Sequence, residues 1–389
     1  MKRLDDALQA LISDEPLCAY IYDLAALRDH SRAMTGALPP NAELFYAAKA
    51  NPDARILDAL RPIVDGFEAA SGGEFQWLQA CQPDMPLIFG GPGKLKSELT
   101  MALEKGVESI HVESQTELLR LAHIADKLGC QAPVLLRMNI ALDGIATTRL
   151  TMGGKPTPFG FDVSELGAAL AVIAGHPQLT LKGFHFHLLS HQLCDIRHIQ
   201  LMKLYFRTFK QWCARYSLDV SVLNVGGGMG INYIDTYSHF NWSRFCEKLH
   251  QLIALEEMED TTIRFECGRF VASQCGYYAM EVLDIKANHG EYFAVCRGGT
   301  HHFRTPAAQG HSHPFFIVHG KNREKPLCNT TVSIVGQLCT PKDILAQRPV
   351  DSLAIGDYVI FPLAGAYAWN ISHQNFLMHP PPLVHYINE

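Results

Sequence analysis

The sequence predicts an α/β fold, a (β/α)8 TIM-like barrel followed by a separate β domain, and three features of the 389-residue chain support it. Over the first two thirds of the chain, short apolar runs alternate with amphipathic helical stretches, the pattern of parallel strands joined by helices. The helical stretches then stop, and β-rich runs separated by glycine, proline and asparagine turns follow. Polar side chains cluster where the apolar runs end, which is where barrel enzymes build their active sites.

Three segments follow in order along the chain. Residues 1–38 are expected to form an N-terminal segment that packs with the β domain, with a strand at 17–22 and a helix at 24–34. Residues 39–275 should form the barrel, because they contain eight strand-like runs, at 44–48, 66–70, 86–89, 109–112, 133–138, 181–187, 220–225 and 263–266. Residues 276–389 should form a β-sandwich or β-barrel domain, with strands at 277–285, 292–296, 315–318, 331–335 and 358–361.

The composition favours a small-molecule ligand. The formal net charge is -6 and no block of like charges occurs, so neither nucleic acid nor a membrane surface is an expected partner. The first residues include acids where a signal peptide needs an apolar core, and no apolar run reaches membrane-spanning length. Eleven scattered cysteines without a C-x-x-C pair argue against a disulfide framework or a zinc site. We therefore expect a cytoplasmic protein with reduced thiols and no bound metal.

Lys49 ends the first apolar run of the barrel, and Asn51 and Pro52 stop the strand directly afterwards. A lysine in this position is desolvated by its neighbours and offers an amine that can form a Schiff base with an aldehyde. The alternative is a strand-end lysine whose ammonium group extends to water.

Other runs also carry polar side chains at their ends. Glu68 lies in the second run, and Arg137 ends the fifth. In the sixth run, the two-residue period of a strand places His185 and His187 on one face. Such a pair can bind a metal ion or can simply be packed and hydrogen-bonded.

The last two runs end in a glycine-rich loop and in two opposite charges. Gly226, Gly227 and Gly228 can bind a phosphate group through their amides, or they can form a flexible turn. Glu266 and Arg269 can form an internal ion pair or can bind a ligand. Together with the strand-end lysine, these groups suit a phosphorylated aldehyde that has a basic ring nitrogen.

These motifs resemble those of the fold-type III decarboxylases, which include diaminopimelate, ornithine and arginine decarboxylases and related enzymes of siderophore biosynthesis. Residues 46–51, Tyr-Ala-Ala-Lys-Ala-Asn, match the family's cofactor-lysine motif. His187-Leu-Leu-Ser190 resembles its His-x-Gly-Ser, and Glu266-Cys-Gly-Arg269 resembles its Glu-Pro-Gly-Arg. The similarity covers nearly the whole chain and implies an alanine racemase-like fold with pyridoxal 5'-phosphate (PLP) as cofactor.

The resemblance also implies a role for each matching residue. Lys49 would carry PLP, Glu266 would keep the ring nitrogen protonated, and His187 would stack on the ring. Ser190, the glycine loop and Tyr367 would bind the phosphate group. The residues expected to bind the cofactor are Lys49, Glu68, Arg137, His187, Ser190, Gly226, Gly227, Gly228, Glu266, Gly268, Arg269 and Tyr367.

In the β domain, residues 336–343 resemble a cysteine-containing loop that the family supplies to the neighbouring subunit's active site in a head-to-tail homodimer. Cys339 and Asp343 match that loop, whereas Thr340 replaces its acidic residue. Cys339 of the other subunit, or Lys49, would reprotonate the α-carbon after carbon dioxide leaves, so Lys49, Cys339 and His187 are the predicted catalytic residues. Without the resemblance, Cys339 and Tyr367 would be read as ordinary buried side chains.

The expected activity is decarboxylation of an amino acid. Polyamine-forming relatives place an acidic residue in the loop after the β-domain strand that corresponds to 292–296, where it holds the distal ammonium group of the substrate. Residues 296–304 here instead read Cys-Arg-Gly-Gly-Thr-His-His-Phe-Arg. Such cations predict a citrate-bearing amino acid from a carboxylate siderophore pathway as substrate, unless the loop is simply solvated. The predicted substrate-binding residues are Arg297, His301, His302, Arg304 and Asp343.

Three other functions are compatible with parts of the sequence. The chain could decarboxylate a free diamino acid, namely diaminopimelate, ornithine or lysine. It could be a barrel metallohydrolase with His185 and His187 as ligands, although this leaves Lys49 and the glycine loop without a role. It could also be a catalytically silent PLP-binding homologue, which would be expected to lack the lysine or the cysteine.

Overall fold

A computed structural model describes residues 2–142, 150–235 and 238–388. The chain divides into two compact units. The barrel unit comprises Arg28–Ile231 and His239–Val271, and the β unit comprises Met1–Leu27, Asn232–Ser238 and Ala272–Glu389.

The first division therefore falls after residue 27, earlier than the residue 38 expected from the sequence. Two hydrogen bonds explain why the helix that spans this point belongs largely with the barrel. The His30 ring contacts the carbonyl oxygen of Phe270 at 2.8 Å, and the Trp242 indole donates to the carbonyl oxygen of Met34 at 3.0 Å.

The helices interleave with the barrel strands along most of the chain. They are α1 Lys2–Leu11, α2 Leu24–Ala37, α3 Ala54–Leu60, α4 Gly72–Cys81, α5 Lys96–Glu104, α6 Gln115–Leu128, α7 Leu166–Ala174, α8 Asp195–Tyr216, α9 Trp242–Leu255, α10 Arg269–Ala272 and α11 Thr305–Gln309.

The strands fall into a parallel set and a mixed set. They are β1 Cys18–Asp23, β2 Ala42–Ala47, β3 Gly66–Ala69, β4 Leu87–Phe89, β5 Ser109–Val112, β6 Ala132–Asn139, β7 Leu150–Thr151, β8 Phe161–Asp162, β9 Leu179–His185, β10 Leu189–Ser190, β11 Val222–Gly226, β12 Thr262–Cys267, β13 Gly276–Asn288, β14 Glu291–Cys296, β15 Phe316–Val318, β16 Glu324–Val335, β17 Ile344–Ile355, β18 Tyr358–Phe361 and β19 Leu383–Ile387.

Eight parallel strands close the barrel in the order β2-β3-β4-β5-β6-β9-β11-β12, and β12 pairs with β2 to complete the circle. Each of the eight apolar runs identified in the sequence forms one of these strands. The runs are continuous rather than alternating because both faces of each strand are covered, as in β3 and β5, where every residue is buried. The predicted barrel is confirmed.

The β unit contains the mixed sheet, in the order β15-β18-β13-β14-β16-β17, with β1 between β13 and β19. The predicted second domain rich in strands is confirmed. Apolar side chains of α1 and β1 share one core with those of β13, β18 and β19; its buried members are Leu4, Ala7, Leu8, Leu17, Ala19, Ile21, Ala279, Tyr358, Ile360 and Ile387.

Among the described residues, no helix is both long enough and apolar enough to cross a bilayer. The cytoplasmic location remains a prediction.

Candidate active site

Lys49 lies in a single 3-10 turn, Ala48–Ala50, that follows β2 at the carboxyl end of the barrel. Its amine donates hydrogen bonds to both carboxylate oxygens of Glu68 on β3, at 2.9 and 2.7 Å. The lysine side chain is 41% exposed, whereas that of Glu68 is 4% exposed. The sequence predicted an amine desolvated by apolar neighbours; the structure instead pairs the amine with a buried carboxylate.

Glu68 is unusual because its charge is buried. Burial raises the pKa of its carboxyl group to about 6, an effect that Lys49 opposes and Glu266 reinforces. The Glu68 carboxyl group therefore keeps its proton up to a higher pH than an ordinary glutamate does.

Gly268 brings the end of β12 close to the Lys49 turn. A Cβ atom at this position would lie 2.8 Å from the Cβ of Ala50 and 3.1 Å from the carbonyl oxygen of Ala47, so only glycine fits. Glu266 and Arg269, on either side of this glycine, are thus held next to the lysine turn.

Glu266 occupies the centre of a buried polar network. The side-chain amide of Asn224 donates to its Oε1 at 2.8 Å, His111 Nδ1 lies 3.5 Å from Oε1, and His185 Nε2 lies 3.5 Å from Oε2. Burial alone would raise the pKa of this carboxyl group, but its neighbours, chiefly His185 and also Lys49, hold it well below its ordinary value. Glu266 is therefore a carboxylate, aimed into the barrel.

The glycine loop after β11 has no room for side chains. A Cβ at Gly226 would lie 2.4 Å from His187 Nδ1, and one at Gly228 would lie 2.3 Å from the carbonyl oxygen of Leu189. The amides of Gly226 and Gly227 donate to Asn224 Oδ1 and His187 Nδ1, at 2.9 and 3.3 Å.

The three amides predicted to bind phosphate are thus not all available. Gly228, with a φ of 101°, is the one whose amide has no acceptor among the described residues. Ser190 is adjacent, since a Cβ on Gly228 would lie 3.6 Å from its Cα. The loop therefore offers one free amide with a serine beside it.

His187 follows β9 and is partly buried at the floor of the site. Burial, together with the neighbouring Arg137 and His185, lowers its pKa to about 3, so the imidazole is uncharged. A neutral ring presents a flat surface suited to stacking on another ring.

The guanidinium group of Arg137, near the end of β6, is neutralised by a residue that the sequence analysis missed. Arg137 Nη1 donates to Glu113 Oε1 at 2.8 Å, and the other oxygen of Glu113 accepts from the amide of Gly160 at 2.9 Å. The Arg137 guanidinium also lies 4.8 Å from the centroid of the Phe159 ring.

This arrangement matches a known family. A sequence profile described as "Pyridoxal-dependent decarboxylase, pyridoxal binding domain" matches residues 24–273, which include the whole barrel unit. The chain belongs to the pyridoxal-dependent decarboxylases.

Curated relatives of this decarboxylase align over most of its length. It is 42% identical over 98% of the chain to a 2-[(L-alanin-3-ylcarbamoyl)methyl]-2-hydroxybutanedioate decarboxylase of Staphylococcus aureus, covering 96% of that protein. It is 30% identical over 94% of the chain to an L-glutamyl-[BtrI acyl-carrier protein] decarboxylase of Niallia circulans, covering 87% of that protein.

Among solved structures, diaminopimelate decarboxylase from Helicobacter pylori, complexed with L-lysine, superimposes with a TM-score of 0.85. The alignment covers 98% of this decarboxylase and 93% of that chain at 22% identity. This likeness establishes the fold.

PLP is the cofactor of this decarboxylase, and the residues of the barrel unit fit it. Lys49 offers a partly exposed amine for the aldehyde carbon. The glycine loop offers an unused amide to the phosphate group, and Glu266 offers a carboxylate in a network whose histidines retain unpaired buried nitrogens. The aldehyde, the phosphate group and the ring nitrogen of PLP would thus each have a suitable partner among these residues.

The metal-site alternative does not fit the geometry. The rings of His185 and His187 are stacked with centroids 6.4 Å apart and do not converge on one point. The described side chains that do converge closely enough for a metal ion are His111, His185 and Glu266, so His187 is not among them.

In the β unit, Asp343 organises the loop that carries Cys339. Its carboxylate accepts hydrogen bonds from the amide and hydroxyl of Thr300, at 2.6 and 2.7 Å, and from the amide of Leu338 at 2.9 Å. Cys339 is exposed at the tip of this loop. The predicted role of Asp343 in substrate binding is therefore corrected: its buried carboxylate is already occupied by the loop itself.

Tyr367 is partly buried and adopts a φ of 50°, and its carbonyl oxygen accepts a hydrogen bond from the Thr305 hydroxyl. A positive φ is strained for a tyrosine. Such strain is typical of a side chain held in place for a function.

Residues 297–304 contain two kinds of basic side chain. Arg297 donates to Gln337 Oε1 at 2.8 Å, and Arg304 is exposed. Neither arginine has an acidic partner among the described residues. His301 and His302 are buried, and burial lowers their pKa values to about 4 and about 3.

The expectation that all four residues supply positive charge is corrected for the two histidines. They are uncharged because they are buried, and His302 Nδ1 already contacts Tyr278 and Cys18 in the core of the β unit, at 3.2 and 3.3 Å.

Sequence reasoning missed His111, Asn224 and Glu113. The signal for His111 was present, since it is the one imidazole within the otherwise small and apolar run of β5. Asn224 occupies a fully buried strand position, where a polar residue needs a specific partner.

Proposed function

We propose that this decarboxylase acts on an amino acid joined to a citrate unit, in the biosynthesis of a carboxylate siderophore. The main support is the 42% identity, over nearly the full length of both chains, to the Staphylococcus aureus enzyme. The name of that relative describes a 2-hydroxybutanedioate whose third arm is an amide of the alanine side chain, which is citrate coupled to an amino acid.

The charges of the β unit support the same substrate. A citrate unit coupled through one arm retains two carboxylates, and Arg297 and Arg304 are cations without acidic partners among the described residues. An arginine can bind a carboxylate through two parallel hydrogen bonds. A free diamino acid would instead require an acid for its distal ammonium group, and the buried carboxylate of Asp343 is occupied by Thr300 and Leu338.

When bound, PLP supplies an electron-accepting ring that stabilises the charge left on the α-carbon as carbon dioxide departs. In our proposal Lys49 would hold the aldehyde carbon, and Glu68 would keep the lysine amine in place. Glu266 would keep the ring nitrogen protonated, and the uncharged ring of His187 would stack on the cofactor ring. The phosphate group would be bound by Gly226, Gly227, Gly228, Ser190, Arg269 and Tyr367.

The reaction also needs a proton donor for the α-carbon. We propose that Cys339 donates this proton from the neighbouring subunit of a head-to-tail homodimer, which would give two composite sites. Exposure of Cys339 on a loop braced by Asp343 supports such a role.

Release of carbon dioxide from purified holoenzyme tests the proposal. Mass spectrometry of the products should show decarboxylation of the citrate conjugate of 2,3-diaminopropionate in preference to ornithine, lysine or diaminopimelate. If a free diamino acid is the better substrate, the siderophore assignment fails and the protein is a decarboxylase of diaminopimelate, ornithine or lysine. A bound cofactor without any decarboxylation would favour the silent homologue.

A further inference from the structure

A histidine on the far wall of the barrel points at Glu266. His111 lies on β5, and β5 and β12 are diametrically opposite in the eight-stranded circle, with three strands between them on either side. Its imidazole nevertheless comes within 3.5 Å of the Glu266 carboxylate. The side chain therefore crosses the barrel interior, where it is 1% exposed.

The hydrogen bonds around Asn224 determine which nitrogen of His111 carries the proton. The amide of Gly226 donates to Asn224 Oδ1 at 2.9 Å, which orients the Asn224 NH2 group towards Glu266 Oε1, at 2.8 Å, and His111 Nε2, at 3.3 Å. Because that NH2 group can only donate, His111 Nε2 must accept.

An uncharged imidazole that accepts at Nε2 carries its proton at Nδ1. Burial, followed by the proximity of His185, lowers the pKa of His111 well below its ordinary value, so the ring is uncharged. His111 Nδ1 is the nitrogen that faces Glu266 Oε1, 3.5 Å away, and it makes no hydrogen bond with any described residue in the absence of the cofactor.

The ring and the backbone of His111 are both held in place. The imidazole packs against that of His185, with centroids 4.2 Å apart and the ring planes tilted by 33°. Behind the strand, the buried amine of Lys94 donates to the carbonyl oxygen of His111 at 2.8 Å and pairs with Glu117 at 2.7 Å.

We propose that His111 is a positioning residue: its Nδ1–H, fixed by Asn224, holds the Glu266 carboxylate in the orientation that accepts a hydrogen bond from the ring nitrogen of PLP. This inference rests on the proposed role of Glu266. It assigns to β5 a part in cofactor recognition that Lys49, Glu266 and the glycine loop do not cover.

The test is an equilibrium exchange between PLP and its 1-deaza analogue, in which a C–H group replaces the ring nitrogen. Holoenzyme is incubated with mixtures of the two, and the bound fraction of each is measured by mass spectrometry. Wild type should prefer PLP, and Glu266→Gln should lose most of that preference. His111→Leu should lower the preference by about threefold to tenfold, the effect of one typical hydrogen bond.

Two variants separate this role from packing. His111→Asn has the same number of side-chain heavy atoms and the same branching as His111→Leu but keeps an N–H near the position of Nδ1, so it should retain the preference. His198→Leu removes another buried imidazole, which packs against Phe240 and Phe245, and should leave the preference unchanged.

An unchanged preference in His111→Leu, or equal losses in the Leu and Asn variants, would overturn the role of His111. If wild type and Glu266→Gln show the same preference, the proposed contact of Glu266 with the ring nitrogen fails first. The two failures are thus distinguishable.

Discussion

The surroundings of Lys49 in the barrel unit and residues 296–304 in the β unit treat their charged side chains differently. Around Lys49, cations meet acids: Lys49 pairs with Glu68, and Arg137 pairs with Glu113. In residues 296–304 of the β unit, Arg297 bonds only to an amide oxygen and Arg304 is exposed.

This difference indicates what each set of charges is for. The barrel charges are balanced within the protein, so they are organised before any small molecule arrives. Arg297 and Arg304 lack an acidic partner among the described residues, and in our proposal the carboxylates of the substrate supply it. We therefore propose that the barrel charges serve the chemistry and that Arg297 and Arg304 serve the choice of substrate.

The largest loss should follow from removing Lys49, the centre of the balanced set. Lys49→Ala should lower kcat/KM by about a thousandfold or more, because no other described amine occupies its place. Borohydride reduction of wild-type holoenzyme followed by peptide mapping should label Lys49. A label on a different lysine would contradict the assignment.

Cys339 tests whether the β unit contributes to the chemistry as well as to recognition. Cys339→Ala should lower kcat by roughly 10²–10⁴-fold, as expected for loss of a proton donor. Mixing it with Lys49→Ala should restore up to about a quarter of wild-type activity, because random pairing in a symmetric dimer creates one intact composite site. Absence of recovery after demonstrated subunit exchange would rule out shared sites.

The unpaired arginines should determine specificity. Arg304→Ala should cost roughly 2–5 kcal/mol in kcat/KM on the citrate conjugate, mostly as a higher KM, and far less on an amino acid without distal carboxylates. Arg3→Ala, which removes another exposed arginine of the β unit, is the control and should leave kcat/KM unchanged on both substrates. Equal losses on both substrates would show that Arg304 does not select the conjugate.

The smallest effect concerns the buried charge of Glu68. Its folded pKa of about 6 lies above the ordinary value of 4.5, so its stabilising contribution is present below pH 4.5 and is lost as the pH rises through 6. Relative to Glu68→Gln, cofactor-free wild type should lose up to about 2 kcal/mol of unfolding free energy over that range. Denaturant titrations at several pH values measure this difference. An increase in the unfolding free energy of wild type relative to Glu68→Gln as the pH rises would contradict the prediction.

The sequence predicted the barrel more completely than the β unit because the two use different patterns. Buried parallel strands are continuous apolar runs, as in β3 and β5, and are easily recognised. Strand β17 was missed because Gln347, Arg348, Pro349 and Asp351 interrupt its apolar residues. Strand β19 was missed because it follows three consecutive prolines.

The candidate site was predicted well where residues act through sequence motifs and poorly where burial decides their state. Lys49 and Glu266 were identified from their neighbours in the sequence. The charges of His301 and His302 could not be predicted, because an imidazole loses its proton only when the folded core encloses it. His111 was missed because its partner Glu266 lies on the opposite side of the barrel, 155 positions away in the chain.

One comparison tests most directly whether the unpaired cations of the β unit select the substrate. The kcat/KM of wild type is measured on the citrate conjugate of 2,3-diaminopropionate, and on free 2,3-diaminopropionate with and without added citrate. We expect the conjugate to be better by roughly a hundredfold or more, because binding of the remote carboxylates contributes to catalysis only when they are attached to the reacting centre. Equal values for the conjugate and the free amino acid would contradict the account.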